Sequence, residues 1–541
     1  MNRKEMINLF AKKFSRREFI KMGALATAAF AMPNFFTGDA QAAKPCSART
    51  RYGVYNGFVD KRGVRTWLGI PFAQPPVGKL RWHAPEPLTP SDSEFNAKKF
   101  GFSPMQNIDP FEAASLLKQS EDCLTLNIWT RGAKNNLPVM VFIPGGGFVG
   151  GGSSDPLYNG SNLAANHDVV VVTINYRVNI FGFMNFAAID STFEDSGYLG
   201  IKDQIAALTW IKENILEFCG DPANITVFGE SAGATSATLL MVTPAAQGLF
   251  KKVIAQSGHL AFYHTFEQSA RLAENFMELG GYKNMHELIN KPVKELMATY
   301  VKLCNENLYT TEIDYFPTCD GKYLPAHPLK ALSDGAARDI KLLTGTTAEE
   351  YRYWAVYFDD MIEAIKPFHK KLIPNVYEGK FLESDALYQT WDKIHPEFAA
   401  LNPDERYLEF ADQLDWRVGQ ELVAEYQSKF NDVYFYLFSQ KSPEKNLGSC
   451  HAIDLPFVFN NPSEEIEPKP SANLVEQMQA AWVSFAETGN PNNSLISDWK
   501  PYKVDDRQTM EINSKAWTCH KDLNIKNLAK LRHVYEDNLL D

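Results

Sequence analysis

Cysteine is scarce in this chain, with seven residues in 541, and the pattern they make is uninformative. The number is odd, the spacings are irregular and no C-x-x-C pair occurs, so at least one thiol is left over or pairs between chains. H-E-x-x-H and clustered Cys/His spacings are also missing, which argues against a metal site. A basic footprint is lacking too: the formal charge is −11, with no Lys/Arg-rich run beyond the N-terminus. Phosphate backbones need such a footprint, so nucleic acid is excluded as a partner. No internal repeat, low-complexity tract or linker interrupts residues 43–541, which read as a single catalytic domain with insertions.

Long hydrophobic runs are missing as well. The N-terminal apolar stretch, Met22 to Met32, is too short to span a bilayer. It follows Lys12, Lys13, Arg16 and Arg17 and precedes Ala40-Gln41-Ala42, the pattern of a signal peptide over residues 1–42 that is removed after export. Ser15-Arg16-Arg17-Glu18-Phe19-Ile20-Lys21 resembles a twin-arginine signal, which makes the twin-arginine export machinery a partner. The expected location is periplasmic or secreted, with no stable membrane anchor after cleavage. Residues 1–42 carry seven basic and three acidic residues, so the mature chain is more acidic still.

What is present suits a large core: 45% of residues are hydrophobic, 13% aromatic and 22% charged. Arg51 to Phe58 and Arg65 to Ile70 read as an antiparallel edge, followed by Leu124 to Trp129. Pro138 to Ile143 and Val169 to Asn175 are nearly continuous in Val, Ile and Phe, as strands buried on both faces of a parallel sheet require. Ile205, Leu208, Ile211 and Ile215 fall at helical spacing over 203–216, and Asn224 to Phe228 returns to strand. Ile340 to Thr344 and Val433 to Phe438 continue the strands, with helices expected across 267–306, 405–428 and 473–488. Helix and strand in alternation predict an α/β protein.

Gly229-Glu230-Ser231-Ala232-Gly233 fits G-x-S-x-G, with a strand-type run before it and a helix-compatible run, Ala234 to Met241, after it. A serine on a sharp strand-to-helix turn leaves no room for side chains two positions to either side. Such a nucleophile needs a base, an acid to orient the base, and donors for the oxyanion. Pro144-Gly145-Gly146-Gly147-Phe148 closes a buried strand, so the N–H groups of Gly146, Gly147 and Ala232 are the expected donors. Gly145, Gly147 and Gly150 also satisfy G-x-G-x-x-G, but no apolar-periodic helix follows and the next strand ends in Asn175 rather than an acid. The dinucleotide reading therefore fails. His451 stands late in the chain, where the order serine, acid, histidine places the base. Glu349 and Glu350 close a strand-type run; Glu350 is preferred, although two solvated acids at a strand end remain an alternative.

These residues resemble the type-B carboxylesterase and cholinesterase family. The resemblance runs from Tyr52 to Met510 through Leu68-Gly69-Ile70-Pro71-Phe72-Ala73, Glu121-Asp122-Cys123-Leu124, Gly145-Gly146-Gly147-Phe148, Asn175-Tyr176-Arg177, the Ser231 pentapeptide and Gly489-Asn490-Pro491. It implies an α/β-hydrolase fold: a central, mostly parallel sheet with helices on both faces and a small N-terminal antiparallel sheet. It also implies serine carboxylesterase activity on a small-molecule ester, without a cofactor, through Ser231, Glu350 and His451. Amide, carbamate or lipid hydrolysis by the same triad is the alternative, and a non-catalytic binding protein on this fold is a remoter one. An Arg81–Glu121 ion pair is implied as well. Two departures stand out: Pro144, where relatives carry His or Tyr, and Pro104, near where they carry the cysteine that pairs with the counterpart of Cys123. That disulfide cannot form here. The imidazole of His451 is expected near its ordinary pKa of about 6.5.

Mass spectrometry of the exported protein should find an N-terminus at Ala43; retention of residues 1–42 would show a different fate for this segment.

Overall fold

Leu137–Ile143 is wholly buried, and its side chains divide between two apolar clusters. Val139, Val141 and Ile143 join one, Met140 and Phe142 the other, which is the period of two that sends alternate residues to opposite faces of a sheet. Val170, Val172 and Ile174 against Val171, and Ile225 and Val227 against Phe228, divide the same way. Both faces must therefore be covered, and the continuous apolar runs are explained.

In the computed structural model, which describes residues 44–107, 113–260, 262–306, 315–357, 362, 365–366 and 384–536, thirteen strands form one sheet. They are β1 (Lys44–Thr50), β2 (Gly53–Val59), β3 (Arg65–Pro71), β4 (Glu94–Asn96), β5 (Thr125–Thr130), β6 (Leu137–Ile143), β7 (Val170–Ile174), β8 (Gly220–Glu230), β9 (Lys252–Gln256), β10 (Lys341–Thr347), β11 (Val433–Phe438), β12 (Thr509–Ile512) and β13 (Trp517–His520). Their order is β1-β2-β3-β5-β7-β6-β8-β9-β10-β11-β12-β13, with β4 beside β2. Every neighbouring pair from β7 to β12 is parallel. The N-terminal strands β1, β2, β3 and β5 are antiparallel and join the rest where β5 meets β7. The proposed signal segment lies outside the described residues.

Helices α1 (Leu199–Asn214), α2 (Ala232–Val242) and α3 (Val418–Gln427) cover one face, and α4 (Ala472–Thr488) covers the other. The stretch expected as helix over 267–306 divides into Phe266–Gly280, Met285–Ile289 and Val293–Glu306. The first break falls at Gly281, whose φ of 65° closes a helix end, and the second at Pro292, just before the third helix. The stretch over 405–428 contains Pro403–Ala411, a π-helical turn at Asp412–Arg417, and α3. The short strands β1, β4, β9, β12 and β13 are not among those expected from the sequence.

Two buried ion pairs hold the loops beneath the sheet's carboxyl edge. Arg81 Nε and Nη2 bind the two carboxylate oxygens of Glu121 at 2.6 and 2.7 Å, as the resemblance implied. Arg177 binds Asp203 of α1 through its backbone N–H, Nε and Nη2, while its Nη1 donates to the His83 carbonyl. All seven cysteines lie among the described residues and none forms a disulfide; Cys123 is buried.

Removing one partner of such a pair leaves the other charge uncompensated in the interior. Asp203→Ala is expected to destabilise the protein by about 3–5 kcal/mol, read as a lowered denaturation midpoint; an unchanged midpoint would contradict the buried pair.

Candidate active site

β8 ends at Glu230 and α2 begins at Ala232, so Ser231 alone makes the turn, at φ 58° and ψ −125°. A side chain held there stores roughly 1–3 kcal/mol of strain. The Ser231 N–H donates to the Gln256 carbonyl of β9 at 2.9 Å, which anchors the turn to the sheet. A Cβ on Gly229 would lie 2.5 Å from the Gly233 carbonyl, and one on Gly233 would lie 1.9 Å from the Ile143 oxygen. The two glycines of the pentapeptide are thus required by close approach of backbone to backbone.

The loop after β6 packs directly on this turn, since a Cβ on Gly145 would sit 3.1 Å from the Ser231 Cβ. Gly146 has φ 109°, and a Cβ there would meet the Gly150 carbonyl at 2.5 Å. Among the described residues no acceptor takes the N–H of Gly146, Gly147 or Ala232; for Ala232, first residue of α2, this is the usual state of a helix N-terminus. Pro144 is used through its carbonyl, which accepts from the Tyr176 hydroxyl at 2.9 Å.

The neighbouring strands supply the remaining groups. Glu350 lies three residues beyond β10, and His451 lies in the loop after β11. His451 Nδ1 is 2.6 Å from Glu350 Oε2. Glu350 Oε1 accepts from the Ser257 hydroxyl at 2.6 Å and from the Thr347 N–H at 2.8 Å. Glu349 turns the other way, accepting from the Ser449 N–H at 2.8 Å and pairing with Arg352. Nε2 of His451 lies 2.9 Å from Glu230 Oε1, though not aligned as a hydrogen bond. The structure therefore joins Glu350 to His451 and seats the glycine loop against Ser231. Among the described residues no hydrogen bond joins Ser231 to His451.

The family model for the carboxylesterase family matches residues 45–530. The chain belongs to the carboxylesterase family. It is 36% identical to the para-nitrobenzyl esterase of Bacillus subtilis (strain 168), over 89% of this chain and 97% of that one. It is 33% identical to the fumonisin B1 esterase of Sphingopyxis macrogoltabida, with 84% of each covered. Among solved structures, a Geobacillus stearothermophilus carboxylesterase superposes with a TM-score of 0.78 at 32% identity, covering 90% of this chain and 99% of the other. The protein is a carboxylic ester hydrolase with the α/β-hydrolase fold.

In this esterase the electrostatics centre on three buried groups. Burial by itself would push the Glu350 carboxyl up, but the imidazole, Ser257 and the Thr347 N–H together hold it below the ordinary glutamate value. Burial would lower His451, yet Glu230 and Glu350 on its two sides outweigh that and raise it to about 10. Burial raises Glu230 as well, opposed by His451. Both members of the Glu230–His451 contact are thus shifted upward, and the proton between them belongs to the pair. For the imidazole the upward direction stands, because Glu350 stays ionised on its other side. The ordinary value expected from the sequence does not hold. Nothing in the sequence alone marks Glu230 or Ser257 as a partner of these groups. Glu230 stood in the pentapeptide as an acid beside the serine; Ser257 had no local signal, since only the pairing of β9 with β10 brings it to Glu350.

An imidazole acts as a base only when deprotonated, so kcat/KM for a neutral ester should rise with pH along a limb above the ordinary histidine value. Replacing Glu230 by Gln removes one of the two flanking carboxylates, lowers the imidazole pKa and moves the limb to lower pH. A limb that stays in place or moves upward in that variant would contradict the assigned cause.

Proposed function

We propose that the esterase works through a covalent acyl-enzyme, with Ser231 as nucleophile, His451 as base and Glu350 as the acid that orients it. The observation that carries this reading is the 2.6 Å contact of Glu350 with His451 Nδ1. It fixes the tautomer, so that Nε2 is left as the acceptor on the edge facing the end of β8, where Ser231 follows Glu230. His451 takes the serine proton as Oγ attacks the ester carbonyl. The tetrahedral oxyanion receives the N–H groups of Gly146, Gly147 and Ala232, at the positive end of α2. As the intermediate collapses, His451 returns the proton to the leaving alcohol. Water then attacks the acyl carbonyl, losing a proton to the same nitrogen, and as the C–Oγ bond breaks His451 returns that proton to Oγ, releasing the acid and restoring Ser231. No step requires a cofactor.

The substrate is a small-molecule ester, and the relatives are esterases of para-nitrobenzyl esters and of fumonisin B1 by name. Residues 43–541 act as one catalytic domain; residues 1–42 address it to the twin-arginine machinery for a periplasmic or secreted location and are removed after export.

Ser231→Ala should reduce turnover of p-nitrophenyl acetate on the order of 10⁴-fold or more, and a fluorophosphonate should label Ser231 alone. Glu350→Ala should be severe, on the order of 10³–10⁴-fold. Glu349→Ala should cost no more than about tenfold, because its carboxylate supports the His451 loop from outside the site. Near-normal turnover without Ser231, or the reverse ranking of the two glutamates, would falsify the assignment.

A further inference from the structure

The π-helical turn Asp412–Arg417 interrupts a helical stretch that would otherwise run from Pro403 to Gln427. Such turns give up regular i→i−4 hydrogen bonds and recur at functional sites. Here four of its six residues reach the acid loop or the base. Asp412 Oδ1 accepts from the Tyr351 N–H at 2.8 Å, and Asp415 Oδ2 accepts from the Tyr351 hydroxyl at 2.5 Å. Arg417 Nη2 donates to the carbonyls of Thr347 and Ala348 at 3.4 and 3.3 Å. Trp416 lies against the imidazole of His451, ring centres 4.6 Å apart.

Tyr351 directly follows Glu350, and Thr347 donates to the Glu350 carboxylate, so three of these residues hold the segment that carries the acid. The fourth holds the ring that the acid orients. Trp354, from the helix Arg352–Tyr357, leans on the same imidazole at 4.8 Å and stacks on Trp416 at 6.2 Å and 12°. The Nδ1 hydrogen bond fixes one point of the ring, and the two indoles restrict how it can tilt about that point. In a regular α-helix Arg417, five residues on, would face away from Asp412; the widened i→i+5 turn brings the two onto one face, so both reach the acid loop.

We propose that the π-turn is a clamp on the catalytic base, in which Trp416 is a positioning residue for His451 while Asp412, Asp415 and Arg417 hold the Glu350 loop in register with it. The clamp rests on the reading of His451 as the base. It acts on the geometry of proton transfer rather than on substrate binding, so its loss should fall on kcat and spare KM.

The test compares Trp416→Leu, Trp416→Phe, Asp415→Asn and Tyr351→Phe in the full chain on p-nitrophenyl acetate, with His451→Ala as reference. Trp416→Leu should lower kcat roughly tenfold or more while KM changes by less than about twofold, and Trp416→Phe should recover most of the loss, in keeping with the cost of small misplacements at a reacting centre. Asp415→Asn and Tyr351→Phe both weaken the hydrogen bond of the Tyr351 hydroxyl with Asp415 and should show the same split at about three- to tenfold; they carry the test if Trp416→Leu fails to fold. Unchanged kcat in the folded variants overturns the clamp, as does a loss that falls on KM or that phenylalanine does not rescue. Retained turnover in His451→Ala would instead overturn the triad reading itself.

Discussion

A carboxylate taken out of water must recover its lost hydration from protein donors, and Glu350 is such a group, 1% exposed. Its donors come from three consecutive strands of the sheet. Ser257 follows β9, Thr347 ends β10, and His451 stands in the loop after β11. Satisfying one buried charge therefore ties together the ends of three strands, and it fixes the imidazole of His451. The parallel arrangement makes this possible, since all of these strands present their carboxyl ends at the same edge.

The same edge explains the placement of the serine. β6 and β8 are parallel neighbours, so the glycine loop after one and the turn after the other emerge side by side. Backbone contacts closer than any side chain allows then press loop and turn together, with Gly229 and Gly233 at the contact. The cost is a strained serine and unspent N–H groups, both of which a reaction through a tetrahedral oxyanion can use. Glu230 adds a second carboxylate to the imidazole, so the ring is held between two acids of unequal character. Glu350 is fully satisfied and ionised, whereas Glu230 is raised by burial.

Much of this was legible in the sequence where the constraint is local. A strand buried on both faces must be apolar throughout, and β6 and β11 appear in the sequence nearly residue for residue. A serine at a backbone turn needs small neighbours at fixed offsets, so Ser231 could be read from five residues. The choice between Glu349 and Glu350 had no such local basis. Both follow the same strand, and they differ only in which way the chain turns beyond it, one toward Ser449 and Arg352, the other toward His451. The π-turn was hidden for a similar reason, because its residues are compatible with a helix and only its contacts with Tyr351 and His451 distinguish it.

By itself, then, the sequence determined the α/β character of the fold, the strand-to-helix turn at Ser231 and the glycine loop beside it. Each of these follows from periodicity or steric limits acting over a few residues. Only the tertiary structure decided the partners of the imidazole, its raised pKa and the packing of Trp416 against it. Those depend on charges and rings brought together across long stretches of chain, and no short-range pattern encodes such distances.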